Sequence, residues 1–349
     1  MIDFRRVLSY NDVLLVPRYS GLDHVTDADI YYNYNNIKWG FHGLPLINAP
    51  MDTVCSTALL KLLHDKFLMP VTIHRWFKSV EDQIKFYNEC NFSLEDYDVF
   101  IAIGNLCKWE GWIERLLSYR RSNDKKFSVL IDVANGDTKA TIETVKYIKS
   151  HYDVNIMAGN IATKSSFARL QESGADFIRV GIGGGSICET RTRSGFGVPT
   201  LTSVIDCAKE KSTSYLVADG GISYPGDICK AIANGADMVM CGNLFASTSL
   251  SSGEKVELNG KKYVRYHGMA SKESIIKLNS NKSVVSIEGV SGLIPYTGET
   301  ETVVTELLGN LQTAVSYYGG CRNWYEFRRR VKMNEITNAG WEESKTRVL

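Results

Sequence analysis

Residues 127–183 read FSVLIDVANGDTKATIETVKYIKSHYDVNIMAGNIATKSSFARLQESGADFIRVGIG and contain three apolar runs separated by two stretches with helical spacing. The apolar runs are continuous and rich in Val and Ile, which is typical of parallel strands buried on both faces. The intervening stretches, TIETVKYIKSHY from Thr141 and SSFARLQESGA from Ser165, have the period of amphipathic helices. This alternation predicts a parallel sheet covered by helices.

The same alternation extends in both directions along the chain. Eight strands are predicted, at residues 45–51, 69–75, 98–104, 127–135, 154–161, 177–183, 215–221 and 238–244. In PGDICKAIANGA, Pro225 suits the first turn of a helix and Gly235 suits its end. Eight strand-and-helix units favour a (β/α)8 TIM barrel, and an open doubly wound sheet is the alternative. We expect residues 1–349 to form this one barrel domain.

The composition excludes several classes of protein. Forty Lys and Arg residues against 39 Asp and Glu residues give a formal net charge of +1, which argues against binding to nucleic acid or to an anionic membrane. The sequence lacks any run of about 18 apolar residues, so no membrane span is predicted. The eight Cys form no CxxC pair in this chain of 349 residues, which indicates reduced thiols and a cytoplasmic protein.

The segment from about residue 250 to residue 298 departs from the strand-and-helix alternation. SSGEKVELNGKKYVRY from Ser251 predicts a polar hairpin around Asn259 and Gly260, and the stretch up to Glu288 is rich in Ser, Lys and Asn. We interpret this segment as a mobile flap, inserted after the eighth strand, that covers the mouth of the barrel.

Glycines follow the last two predicted strands, with Gly220 and Gly221 after the seventh and Gly242, next to Asn243, after the eighth. Loops at these places commonly hold a phosphate, because glycine lets backbone N–H groups approach an anion closely. The hydroxyl of Ser186 and its neighbouring glycines offer a third set of donors. The alternative is that these glycines only relieve crowding in tight turns.

The loop after the sixth strand, GIGGGSICETRTRSGFG from Gly181, has the most unusual composition in the chain. Its glycines favour an exposed position for Cys188, and Arg191 and Arg193 add positive charge nearby, which would increase the thiolate fraction. An inert buried thiol is the alternative, and we expect it for the other seven Cys. Thr190 and Glu288 are candidate acid–base groups.

These segments resemble the IMP dehydrogenase and GMP reductase family, and the likeness covers nearly the whole chain. The matching segments are YNDVLLVP, NAPMDTVCS, IDVANG, MAGNIAT, SGADFIRVGIGGGSICETR, VADGGISYPGDICKAIANGADMVMCGN, YHGMASKES and IEGVSGLIPYTG. The resemblance implies a (β/α)8 barrel that binds a purine nucleoside monophosphate, bonds a Cys to purine C2, and exchanges hydride between C2 and a nicotinamide cofactor.

The resemblance also implies roles for individual residues. Cys188 would be the nucleophile, and Thr190 and Glu288 would form the dyad that protonates a leaving amine. The ribose and phosphate would be held by Ser186, Asp219, Gly220, Gly221, Gly242 and Asn243, and the base would face Met269, Ala270 and Ser271. NADPH would contact Arg75, Asp132, Ala134 and Asn135. The carbonyls of Gly183, Gly185 and Cys188 match a potassium-binding loop, and relatives assemble as homotetramers.

Two features favour the reductase branch of the family. No CBS module fits between Asp82 and Phe127, and residues 267–287 contain neither the Arg nor the Tyr with which dehydrogenases activate water. The implied reaction is the reductive deamination of GMP to IMP and ammonia, in purine interconversion or salvage. EGVSG from Glu288 instead resembles the dehydrogenases, so an IMP dehydrogenase without CBS modules stays open. A catalytically silent nucleotide-binding barrel also stays open, because Glu189 would oppose thiolate formation unless Arg191 or Arg193 offsets it.

Overall fold

The computed structural model describes residues 4–92, 96–268 and 291–346. In chain order its strands are β1 (Val13–Val16), β2 (Tyr32–Tyr34), β3 (Phe41–Gly43), β4 (Leu46–Asn48), β5 (Val71–Ile73), β6 (Val99–Ile103), β7 (Ser128–Asp132), β8 (Ile156–Ile161), β9 (Phe177–Val180), β10 (Tyr215–Asp219), β11 (Met238–Cys241), β12 (Lys255–Leu258), β13 (Lys261–His267), β14 (Ser291–Pro295) and β15 (Lys332–Glu335). Its helices are α1 (Thr57–Lys61), α2 (Val80–Cys90), α3 (Leu106–Ser122), α4 (Lys139–His151), α5 (Lys164–Glu172), α6 (Thr190–Ser194), α7 (Thr200–Ala208), α8 (Pro225–Ala233) and α9 (Asn243–Ala246), followed by Thr300–Thr313, Trp324–Arg330 and Asn338–Glu343.

Strands β4 to β11 form one parallel sheet that curls almost completely into a barrel, in the spatial order β4, β11, β10, β9, β8, β7, β6, β5. Each of the eight predicted apolar runs contains one of these strands, so the (β/α)8 prediction is confirmed. Helix α8 begins at Pro225, and Gly235 follows its end with a φ of +107°. Between β5 and β7 the described residues form only α2, β6 and α3, which leaves no room for a CBS module.

The barrel has two apolar layers. One fills its interior and includes Phe100, Leu130, Met157, Phe177 and Tyr215, and the other lies between the strands and the surrounding helices. The β2–β3 hairpin covers the amino-terminal end of the barrel, where the hydroxyl of the fully buried Tyr34 donates to the carbonyl of Asp237. Because this end is packed with side chains, the open end for a ligand is the carboxyl end of the strands.

The sheet closes at β4 and β5 through a side chain and not through a ladder of backbone hydrogen bonds. The buried Asn48 accepts a hydrogen bond from the Thr72 backbone N–H through Oδ1 at 2.8 Å, and its Nδ2 donates to the Thr72 carbonyl at 3.0 Å. The Thr72 hydroxyl donates to the Asn48 carbonyl at 2.8 Å. One amide therefore makes the bonds that a strand neighbour makes elsewhere around the barrel.

Two additions flank the barrel. Strand β1 pairs antiparallel with β15, in a register that places Val13 opposite Glu335. Strands β12, β13 and β14 form an antiparallel sheet within the predicted flap segment, and the predicted hairpin is present, with positive φ angles of 51° at Asn259 and 72° at Gly260. Within the described residues no helix is both long and apolar enough to cross a membrane.

Candidate active site

The loops that follow β9 and β10 touch through their backbones at the carboxyl end of the barrel. A Cβ on Gly220 would lie 3.0 Å from the carbonyl carbon of Gly184, and a Cβ on Gly184 would lie 3.3 Å from the carbonyl carbon of Gly220. Gly220 also has a φ of +86°, a conformation that favours glycine. The structure therefore brings together the loop of Ser186 and the loop of Gly220 and Gly221, and both Ser186 and Gly221 are exposed there.

The loop after β11 meets the flap sheet. A Cβ on Gly242 would lie 2.6 Å from the hydroxyl oxygen of Tyr266, which is on β13, and Asn243 begins the short helix α9 directly after this glycine. Burial raises the pKa of Tyr266, so its hydroxyl stays protonated and can act as a donor. Tyr266 is not among the site residues predicted from the sequence. Its place in the YHGMASKES segment was the available signal.

Cys188 is exposed at the mouth of the barrel, as the Gly-rich loop predicts. Its Sγ lies 3.2 Å from Oγ1 of Thr190, and its backbone N–H donates to the Gly185 carbonyl at 3.0 Å. Six of the other seven Cys are buried, and burial raises the pKa of Cys55 and Cys241 to about 12. The expectation of a buried thiol is wrong for Cys107, which lies exposed on α3 because its position falls on the outer face of that helix.

Of the two arginines expected to offset Glu189 next to Cys188, one forms an ion pair with it. Arg193 donates to one carboxylate oxygen of Glu189 through Nε at 3.0 Å and Nη2 at 2.8 Å, which offsets the negative charge next to the thiol. Arg191 donates to the carbonyls of Ile182 and Val198 at 3.2 and 2.7 Å, so it braces the loop. Arg193 therefore offsets the negative charge of Glu189, whereas Arg191 holds the loop in place.

A buried arginine joins the two predicted carboxylates of the site. Arg179 is 5% exposed on β9 and donates to Asp132 at 2.7 Å and to Asp219 at 2.9 Å. Asn160 donates to the same Asp219 oxygen at 2.6 Å. Burial alone would raise the pKa of Asp132, but the charges of Arg179 and Arg75 outweigh it and lower that pKa. Sequence reasoning missed Arg179, because a single charge inside the apolar run FIRV does not alter its strand pattern.

The residues predicted for the cofactor lie on the neighbouring strands. Nε of Arg75, just after β5, is 3.3 Å from Oδ2 of Asp132 at the end of β7, and its guanidinium lies 4.6 Å from the ring centre of Trp76. Ala134 and Asn135 follow Asp132 and are exposed. The rim therefore has two sides, with the thiol and the glycine loops on β9 to β11 and the Arg75–Asp132 pair on β5 and β7.

A family model described as "IMP dehydrogenase / GMP reductase domain" matches residues 7–347. The chain belongs to this family. Members of the IMP dehydrogenase and GMP reductase family are oxidoreductases, and the expectation of an oxidoreductase is confirmed.

Similar proteins within the family bear the reductase name. The chain is 32% identical to mouse GMP reductase 1 over 342 residues, which cover 96% of this chain and 97% of the relative. It is 33% identical to bovine GMP reductase 2 over 95% of this chain and 94% of the relative. A Caenorhabditis elegans GMP reductase is 32% identical over 95% of this chain and 92% of the relative.

Some residues to which the family resemblance gives a role lie outside the described residues. They are Glu288, Met269, Ala270 and Ser271. Of the three carbonyls expected to hold potassium, the one of Gly185 already accepts from the Cys188 N–H, and Gly183 has a φ of +74°. Within the described residues no cluster of three or more His, Cys, Asp or Glu side chains could hold a metal ion.

Proposed function

We propose that the protein is a GMP reductase that converts GMP to IMP and ammonia with NADPH, within purine nucleotide interconversion or salvage. The observation that carries the proposal is the exposed Cys188 with Thr190 Oγ1 at 3.2 Å, on a loop that contacts the glycine loop after β10. The resemblance to GMP reductases over about 95% of the chain supports the same reaction.

The proposed reaction begins at the thiol. The Cys188 thiolate forms a bond to C2 of the purine, and the amino group at C2 takes a proton and leaves as ammonia. Thr190 is close enough to Sγ to pass that proton, with Glu288 as its proposed partner in the dyad. C2 then accepts hydride and the C–S bond breaks, which returns the thiolate and releases IMP. Overall, GMP, NADPH and two protons give IMP, NADP+ and ammonium.

Arg75, Asp132, Ala134 and Asn135 are the proposed contacts for NADPH, which when bound supplies the hydride. They fit a dinucleotide because Arg75 offers a cation at the rim and Ala134 and Asn135 expose backbone groups beside it. Asp132 holds the Arg75 side chain in place at 3.3 Å. On the other side of the rim, Ser186, Gly221, Gly242 and Asn243 would hold the phosphate and Asp219 the ribose.

The flap, residues 250–298, is proposed to close over the bound purine. Its support is the contact between Tyr266 and the loop of Gly242, which ties β13 to a proposed phosphate site. Replacing Tyr266 with Phe removes only the hydroxyl, so a raised KM for GMP with an unchanged KM for NADPH would support this role.

The proposal is tested by incubating the protein with GMP and NADPH and following the absorbance of the reduced nicotinamide, with IMP and ammonia measured as products. Cys188→Ala should abolish turnover, whereas Cys107→Ala, which removes the other exposed thiol, should leave it unchanged. Formation of XMP from IMP and NAD without turnover of GMP would identify a dehydrogenase. Saturable GMP binding without turnover would identify a silent barrel.

Further proposals concern the ion, the assembly and the compartment. We propose that potassium binds the carbonyls of Gly183, Gly185 and Cys188, in which case replacing potassium with lithium lowers kcat.

We propose a cytoplasmic homotetramer, for which light scattering on the purified protein should give about four times the chain mass of 39.0 kDa. A monomer at working concentration would contradict the tetramer.

A further inference from the structure

We propose that a groove away from the barrel mouth binds a nucleoside di- or triphosphate. The groove has a volume of about 660 Å³ and lies between the chain after β1 and the helix Trp324–Arg330. Its lining includes Tyr19, Tyr325, Arg322, Arg329 and Arg330. We call it the arginine groove. The volume falls in the usual range of about 300–1,000 Å³ for sites that hold a small molecule or cofactor.

The arginines of this groove carry charge that no ion pair among the described residues neutralises. Most arginines on the surface pair with a carboxylate, as Arg115 does with Glu81 and Arg265 with Glu254. Among the described residues Arg322, Arg329 and Arg330 have no such partner. Glu326, the one carboxylate among the described residues that line the groove, accepts a hydrogen bond from the Arg322 backbone N–H at 2.9 Å. The groove therefore presents three guanidinium groups against one carboxylate, in a chain of net charge +1.

The dipole of the helix Trp324–Arg330 accounts for only some of these arginines. Arg329 and Arg330 end a helix, where a cation interacts favourably with the helix dipole, and Arg330 also donates to the Gly320 carbonyl at 2.5 Å. Arg322 precedes the same helix, where the dipole favours negative charge. Guanidinium groups bind phosphate oxygens through paired hydrogen bonds, so an anion with two or three phosphates matches the cluster.

Two exposed aromatic rings indicate that the anion carries a planar group. Tyr19 is 86% exposed and Tyr325 is 66% exposed, which is unusual for rings of this size. The Arg329 guanidinium lies 5.4 Å from the ring centre of Tyr325, and its Nη1 donates to the hydroxyl at 3.1 Å, so this ring is already held beside a cation. A nucleobase stacks on such rings, whereas an inorganic polyphosphate makes no use of them.

The groove also has a direct connection to the barrel mouth. Strand β1 leads from Tyr10, whose ring would lie 3.5 Å from a Cβ on Gly221, to the chain segment that contains Tyr19. The Arg18 backbone N–H donates to the Tyr318 carbonyl at 2.7 Å, which fixes that segment against the wall of the groove. The groove is nevertheless separate from Cys188 and the glycine loops, because none of those residues lines it.

The test measures fluorescence anisotropy of N-methylanthraniloyl-ATP with the whole protein. We expect the nucleotide to bind the wild type saturably. The double variant Arg322→Ala, Arg329→Ala should lower the affinity at least tenfold, and Tyr325→Ala should lower it about tenfold. Tyr325→Phe keeps the ring and should bind within about twofold of the wild type. Arg115→Ala removes an exposed arginine elsewhere, and Ser186→Ala alters the proposed phosphate site, and both should leave binding unchanged.

Three results would overturn the proposal. Equal affinity in the wild type and in the groove variants would place the nucleotide elsewhere. Displacement by tripolyphosphate as effectively as by unlabelled ATP would show that the rings do not hold a base. The wild type could fail to bind nucleotide while the groove variants differ from it in particle mass on light scattering. That result would show that the groove is a contact between copies of the chain.

Discussion

At the scale of single residues, the charge next to Cys188 depends on a pair one helical turn apart. Glu189 follows the thiol directly in sequence, and Arg193 neutralises it through two hydrogen bonds to one oxygen. Thiolate reactivity at this site should therefore respond to a residue that does not itself touch the substrate.

Replacing Arg193 with Ala should slow alkylation of Cys188 by iodoacetamide at neutral pH about twofold to fivefold, because exposed ion pairs are worth up to ~1 kcal/mol. The freed Glu189 carboxylate then opposes formation of the thiolate. Arg193→Lys should retain most of the rate, and Glu189→Gln combined with Arg193→Ala should restore it. A rate that stays low in the double variant would contradict this account.

Arg179→Met tests the buried bridge between Asp132 and Asp219. The variant leaves both carboxylates without their shared cation, so we expect a loss of about 3–5 kcal/mol in the free energy of unfolding, measured in urea. Arg169→Met is the matched control, since Arg169 pairs with Asp137 at the surface and should cost no more than about 1 kcal/mol. Equal losses in the two variants would contradict the importance of the bridge.

At the scale of elements, the closure of the sheet depends on the Asn48 amide. Asn48→Leu removes its bonds to Thr72, which leaves the buried Thr72 N–H without its acceptor and the Thr72 carbonyl with only the Cys55 thiol as donor, so we expect a loss of about 2–4 kcal/mol in the free energy of unfolding. Asn48→Asp keeps an acceptor for the Thr72 N–H but replaces the donor to the Thr72 carbonyl with an oxygen, so it should also destabilise the protein. Hydrogen exchange at the Thr72 amide should accelerate more in the Leu variant than in the Asp variant.

The strands of the barrel could be predicted because their signal is local. Runs such as VFIAI and SVLID are buried on both faces, and continuous apolar sequence is the direct result. The pairing of β1 with β15 could not be predicted in this way. VLLV is apolar, KMNE is polar, and the two lie at opposite ends of the sequence, so no local pattern relates them.

The glycine loops and the exposure of Cys188 could also be predicted, because glycine composition reports backbone freedom. Hydrogen bonds between polar groups that are distant in sequence could not be predicted. Arg179 and Asn160 acquire their role only when the barrel brings Asp132 and Asp219 beside them. Cys107 was misjudged because its burial depends on which face of α3 packs inward.

At the scale of the whole molecule, stability should depend on pH through His64. Burial would lower the pKa of this imidazole, but hydrogen bonds and charge from Asp98 and Asp65 outweigh burial and raise it above 6.5. A raised pKa in the folded state stabilises the fold below the unfolded value and loses that effect as the pH rises through the folded value.

We therefore expect the free energy of unfolding of the wild type to exceed that of His64→Gln most clearly near pH 6, with the difference shrinking towards pH 9. Urea denaturation of both proteins across this range measures it. A difference that is independent of pH would show that His64 contributes only through packing.

The Asn48 closure also marks a boundary in the rim. On one side of this closure the thiol and the glycine loops follow strands of the series β4, β11, β10 and β9. On the other side Arg75 and Asp132 follow strands of the series β5, β6 and β7. The opposite boundary is β8, whose pairing with β9 shifts register between Gly159 and Ile161. The barrel is thus two arcs joined at two irregular places. The distance between the two groups of loops is therefore set at these two places, and Arg179 spans the second of them by joining β9 to Asp132 on β7.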